Sequence, residues 1–158
     1  MLTPIKYLRN EIIKYKEEKK IFRSTPSFAP AGQSTQMVIG ATPESDMEIL
    51  GIANYFYARM NMKRVYYSGY VPVSTDSRLP APGSPVPVMR ENRLYQADWL
   101  MRFYGFKVEE IVNPTHPLLD LEIDPKLGWA LRNPDLFPVD VNFADPELIK
   151  RVPGIGLK

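Results

Sequence analysis

The chain has 158 residues, 44% hydrophobic and 24% charged, with a net charge of +2; this is enough apolar material for a buried core and excludes default disorder. It contains no cysteine, which excludes a disulfide framework, a thiol nucleophile, a Cys-ligated zinc and a thiolate-held iron–sulfur cluster built from this chain alone. No stretch approaches the roughly 20 consecutive apolar residues of a membrane span, and no signal-peptide run opens the chain, so a cytoplasmic protein with no membrane partner is expected.

Thr3-Pro4 is an N-cap followed by proline at the first helical position, and Ile5, Leu8, Ile12 and Tyr15 recur at helical spacing, predicting a helix from Pro4 to Lys20. Pro26, Pro30 and Gly32 break the pattern before an apolar run, Thr35 to Gly40, suited to a buried strand. Thr42-Pro43-Glu44 then reads as the start of a second helix, with Glu44, Asp46 and Glu48 favoured by its dipole and Ile49, Ile52, Ala53, Phe56 and Met60 as its buried stripe. Lys63 to Val73 is aromatic and β-branched, a second strand one helix after the first, so the unit is βαβ and parallel pairing is expected.

From Pro72 to Pro87 there are five prolines around Gly83, a long loop leaving the C-terminal end of the second strand. Leu94, Ala97, Met101 and Tyr104 mark a third helix closed by Gly105, and Val108, Ile111 and Val112 a short fourth. Beyond Asn113 the pattern changes to short helical pieces opened by Asp124-Pro125 and Asp145-Pro146. We therefore expect an α/β segment over residues 1–110 and a small all-helical segment over 111–158.

No residue is assigned a catalytic or metal-ligating role. His116, the single histidine, lies in Asn-Pro-Thr-His-Pro without a nucleophile elbow and reads as a loop or capping residue. The net charge is too small to argue for nucleic acid, because counterion release rewards local clusters of cations. Two clusters exist: Lys14, Lys16, Lys19, Lys20 and Arg23, read as a solvated helix face, and Lys150, Arg151 and Lys158.

The second cluster flanks Val152-Pro153-Gly154-Ile155-Gly156. In a helix-hairpin-helix the two glycines make a tight turn whose backbone N–H groups point at a DNA phosphate, a sequence-independent contact that a side chain would block. An ordinary glycine turn is the plainer alternative; the apolar Leu148, Val152, Ile155 and Leu157 at packing positions favour the hairpin. The DNA-binding residues expected are thus Lys150, Arg151, Pro153, Gly154, Ile155, Gly156 and Lys158.

A strand that ends in Gly40 and runs into a capped helix can receive a ligand at its exposed end. Easing a tight turn is the plainer role for that glycine. Of the aromatic group Tyr55, Phe56, Tyr57, Tyr66, Tyr67 and Tyr70, most are expected in the core, with Tyr70 lining a site at the strand end.

Phe28-Ala-Pro-Ala-Gly-Gln-Ser-Thr-Gln-Met-Val-Ile-Gly-Ala-Thr42, Val65-Tyr-Tyr-Ser-Gly-Tyr-Val-Pro-Val73, Arg93-Leu-Tyr-Gln-Ala-Asp-Trp-Leu-Met-Arg102, Leu127-Gly-Trp-Ala-Leu-Arg132 and Arg151-Val-Pro-Gly-Ile-Gly156 resemble the C-terminal portion of the DNA modification and repair radical SAM proteins, whose genes accompany a uracil-DNA-glycosylase-like partner. The resemblance implies the C-terminal half of a partial (β/α) radical SAM barrel followed by a helix-hairpin-helix segment. It also implies S-adenosylmethionine and a [4Fe–4S] cluster as cofactors. A Gly-x-Ile-x-Gly-x-x-Glu pattern on the fifth strand of such barrels approaches the adenine of the cofactor. Here Val38 and Gly40 fall on its Ile and second Gly, Gln36 stands at the first Gly, and Glu44 comes one residue late; Gln36, Val38, Gly40 and Tyr70 are the implied cofactor contacts.

The Cys-x-x-x-Cys-x-x-Cys loop that holds the cluster in this family has no counterpart in the sequence. The expectation is a fragment, inactive alone, that begins at the helix before the fifth strand, with Met1 a truncation start or an internal start site. Its partners would be the DNA phosphate backbone, the missing N-terminal half and the glycosylase-like protein. The alternative is a stand-alone DNA-binding or adaptor module that joins a separate cluster-bearing chain. An unrelated small enzyme using the Pro72 to Pro87 loop lacks a base and nucleophile pair.

Overall fold

A computed structural model describes residues 2–73, 76–83 and 85–157. The order is α1 (Leu2–Ile21), β1 (Gln33–Ile39), α2 (Asp46–Met60), β2 (Met62–Gly69), α3 (Val88–Phe103), α4 (Val108–Ile111), α5 (Pro125–Arg132), a 3-10 turn (Pro134–Leu136) and α6 (Pro146–Ile149). Among the described residues the fold is mixed α/β, with six helices and one two-stranded parallel sheet, β1 beside β2. No described helix is long and apolar enough to cross a membrane.

The chain forms two compact units, Met1–Met37 with Ile52–Tyr66 and Val38–Gly51 with Tyr67–Lys158. In the first, α1 buries Ile12, and Phe56, Met60, Met62 and Val65 complete the apolar interior. Asn61, at φ 52°, makes the single-residue turn from α2 to β2, a left-handed conformation that Asn tolerates better than most residues. Buried Gln33 donates to the Met60 carbonyl, and the Tyr57 hydroxyl accepts the Val65 N–H at 3.0 Å.

In the second unit the core is Ile39, Ile49, Leu50, Leu94, Ala97, Leu100, Phe106, Val108, Ile111 and Trp129. Tyr67, 2% exposed, sends its hydroxyl to Asp98 Oδ1 at 3.2 Å and is a core residue. Of the aromatic group expected mostly in the core, Phe56 is also buried, whereas Tyr55 and Tyr66 are exposed and Tyr57 is half-buried; Ile52 of the stripe expected on α2 is exposed as well. Gly105, at φ 71°, ends α3 in the left-handed conformation that its C-terminal position demands. Phe106 then turns inward to meet Trp129 of α5 edge-on, ring centroids 5.4 Å apart. Since α5 packs on both α3 and α4, residues on either side of the boundary expected near 110 share one unit.

The start of one element and the end of another differ from the sequence reading. The second helix begins at Asp46 and not at Thr42, because Ser45 and Glu48 form a reciprocal cap: Ser45 N–H donates to Glu48 Oε2 at 2.8 Å and Glu48 N–H to Ser45 Oγ at 3.2 Å. The second strand stops at Gly69, well before Val73, because the Glu91 side chain takes the Gly69 N–H at 2.9 Å.

Candidate functional site

The C-terminal ends of both strands lie in the second unit and are built alike. At each, a glycine has its N–H held by a glutamate: Gly40, just after β1, by Glu44 Oε1 at 3.0 Å, and Gly69, the last residue of β2, by Glu91 Oε1 at 2.9 Å. Gly40 has φ 75°, and a Cβ on it would overlap Val86 Cγ2; a Cβ on Gly69 would sit 3.1 Å from Val86 Cβ and 2.7 Å from Glu91 Oε1. Val86, from the proline-rich loop, therefore packs against both strand ends; its contact excludes a side chain at Gly40 and leaves little room for one at Gly69.

Glu44 also accepts from the Thr42 hydroxyl. Burial pulls its pKa upward, but the Thr42 hydroxyl, its own and the Gly40 amides and the nearby Arg90 outweigh that and hold it below the usual glutamate value. Arg90 donates through Nε to Asp46 Oδ1 at 2.8 Å and through Nη2 to the Glu44 carbonyl at 3.0 Å. The fully buried Asp46 uses its other oxygen to accept the Leu119 N–H at 2.9 Å. Gly40, Thr42, Glu44, Val86, Arg90 and Leu119 line a cleft of about 480 Å³ at the strand end.

Of the residues expected at a cofactor, Val38, Gly40 and Tyr70 belong to this unit, and the Tyr70 N–H donates to the Ile39 carbonyl at 2.9 Å. The Val38 side chain is exposed and Tyr70 is half-buried. Gln36 belongs to the first unit, exposed on β1. Sequence reading missed Val86, Arg90 and Glu91. Arg90 left a signal: a cation in the first turn of a helix opposes the dipole and calls for a tertiary partner, here Asp46. The strand-end cleft has a mixed polar and apolar wall, and of the four residues expected at the cofactor Gly40 lines it while Gln36, Val38 and Tyr70 do not. The chain does not fit a [4Fe–4S] cluster, for which it has no thiolate, and no group of three or more His, Cys, Asp or Glu among the described residues is placed to hold a metal.

The tail reaches the same unit by a different route. Val152 to Ile155 is a tight turn closed by the Ile155 N–H on the Val152 carbonyl at 3.1 Å, with Pro153 first and Gly154 second at φ 85°, the residue pattern of a type II turn. Gly154 and Gly156 are exposed, and a Cβ on either would meet nothing within 4 Å. Lys126, at the start of α5, donates to the Ile155 carbonyl at 2.6 Å and lies 4.6 Å from the Tyr104 ring centre; burial lowers its pKa.

The cations expected beside this turn are engaged elsewhere. Arg151 pairs with Glu110 at 2.5 Å, donates to the Gly105 carbonyl at 3.2 Å and lies over the Phe106 and Trp129 rings, 4.3 and 5.3 Å from their centres. Lys150 pairs with Glu147 at 2.5 Å. Lys158 lies outside the described residues. The turn thus offers an exposed glycine backbone around the half-buried Pro153 and Ile155.

No family model, curated protein or solved structure matches this chain.

His116 is exposed in a turn closed by Asn113, with Nδ1 3.0 Å from the Thr115 hydroxyl.

Proposed function

We propose that this chain is a portion of a radical SAM protein of DNA modification or repair. On this reading the βαβ portion is the later half of a partial barrel. Its strand ends, with Val38, Gly40 and Tyr70, contribute part of an S-adenosylmethionine pocket, and the glycine turn of the tail is a helix-hairpin-helix grip on the DNA phosphate backbone. The chemistry of the family, reductive cleavage of the bound cofactor by a cluster, would need thiolates from another segment or another chain, since this one has none. By itself the chain would bind and not react. A cytoplasmic location and a glycosylase-like partner follow from the same resemblance.

The observation that carries the DNA half of this reading is the Val152–Ile155 turn. Its N–H closes on its carbonyl, its glycines face outward, and no side chain guards the approach. Neighbouring Lys150 and Arg151 are ion-paired, so the grip rests on backbone amides, with few cations to add.

Gly156→Val tests this cleanly, because a side chain there meets nothing within 4 Å of its Cβ and leaves the fold alone. Duplex binding measured by fluorescence anisotropy over a range of salt should fall with salt in the wild type and drop at least about tenfold in the variant, the loss of about 1.4 kcal/mol or more. Equal affinity in both proteins would refute the grip.

A further inference from the structure

The first unit carries a feature that the proposed function leaves unused. Over residues 2–23 there are seven basic side chains against three acidic ones, a surplus of four, larger than the net +2 of the chain. Helical spacing brings Ile12, Tyr15, Lys16 and Lys19 of α1 to one side, where with Ser27, Phe28, Ala29 and Pro30 they wall a groove of about 220 Å³. The Tyr15 and Phe28 rings stack across it, centres 5.2 Å apart and planes 24° from parallel.

Among the described residues, the cations of the groove are not neutralised by carboxylates, unlike their neighbour Lys20. Lys20 is neutralised by Glu17 at 2.8 Å. Among the described residues no carboxylate lies within ion-pair distance of Lys16 or Lys19; Lys19 Nζ donates to the Ser27 hydroxyl at 2.7 Å and is thereby fixed at the groove. On the facing turn Ala29 has φ 41°, the left-handed region, held there by the Gly32 N–H on its carbonyl at 2.8 Å. A side chain disfavours that conformation, and its effect here is to set Phe28 and Pro30 against α1.

We propose that this groove binds a nucleotide through its phosphate. Lys16, Lys19 and the Ser27 hydroxyl supply donors to the phosphate oxygens, and Tyr15, Phe28 and Pro30 supply a flat apolar wall for the base. The base must be free to reach that wall, so the ligand is a mononucleotide or an unpaired strand and not a duplex. The shared chemistry is a phosphate ester next to an unstacked ring. This site is separate from the glycine turn and stands without it.

The test is calorimetric titration of the full chain with inorganic phosphate, with AMP and with a short single-stranded oligothymidylate. AMP should bind more tightly than phosphate, and Lys16→Ala with Lys19→Ala should weaken AMP at least about tenfold, while Lys6→Ala, an exposed change outside the groove, leaves it unchanged. Phe28→Leu, which keeps the apolar volume, should weaken AMP and leave phosphate unaffected. Oligothymidylate that competes with AMP and is weakened by the same double substitution identifies an unpaired strand as the ligand; failure to compete identifies the free nucleotide. A wild type that binds neither AMP nor oligothymidylate at millimolar concentration, or a double variant, folded by circular dichroism, that binds both as the wild type does, would overturn the assignment.

Discussion

At the scale of single residues, two positions carry unusual weight. Gly40 needs both its positive φ and its missing side chain, since Val86 occupies the space where a Cβ would go. Gly40→Ala should therefore destabilise the chain by about 1–3 kcal/mol in chemical denaturation, whereas an unchanged midpoint would show that the loop around Val86 yields freely. Arg151 was read from the sequence as a phosphate contact because it flanks the glycine turn. Its guanidinium instead holds Glu110 and the Gly105 carbonyl and covers the Phe106 and Trp129 rings, a set of partners that only the folded chain brings together. Arg151→Ala should cost about 1–3 kcal/mol, and Arg151→Lys should recover little of it, because an ammonium lacks the planar fork that serves carboxylate, carbonyl and ring at once. Full recovery by lysine would reduce Arg151 to a simple charge.

At the scale of elements, local chemistry was mostly readable and tertiary substitutions for it were not. Asp124-Pro125 and Asp145-Pro146 do start helices: Asp124 accepts the Lys126 and Leu127 N–H groups at 3.0 Å, and Asp145 accepts that of Glu147 at 2.7 Å. Thr42-Pro43 carries the same signature and misleads, because Thr42 is spent on Glu44, which in turn is spent on Gly40. The reciprocal Ser45–Glu48 pair three residues later caps the helix instead. Glu44 and Glu110, whose pKa values are lowered in the fold, also make stability depend on pH. Burial of Glu110 favours its neutral form, but the Lys107 N–H at 2.8 Å that it accepts while capping α4, together with Arg151, lowers its pKa below the usual glutamate value. Its contribution is thus present above about pH 4.3 and fades as pH falls below that toward the folded pKa. Glu110→Gln should make the acid limb of a stability–pH curve shallower, and an unaltered limb would exclude Glu110 as a source of it.

At the scale of the whole molecule, the βαβ order and the parallel pairing followed from periodicity, while what the strand ends are built against did not, because Val86, Arg90 and Glu91 come from a loop and helix that composition alone leaves unplaced. Among the described residues β1 and β2 pair only with each other. On the outer edge of β2 the Val65, Tyr67 and Gly69 N–H groups are taken by the side chains of Tyr57, Tyr95 and Glu91. This leaves the outer edge of β1, and association that grows with concentration is expected in sedimentation velocity; a monomer at all concentrations would mean that this edge is covered too. The absence of cysteine, which began as a limit on chemistry, becomes under the proposed function the reason that binding and not catalysis is the property to measure. The most direct measurement is an NMR titration of the ¹⁵N-labelled chain with a short DNA duplex. The amide signals of Gly154, Ile155 and Gly156 should move first and together, and move back as salt is raised. A duplex that binds while those three amides stay fixed would contradict the phosphate grip.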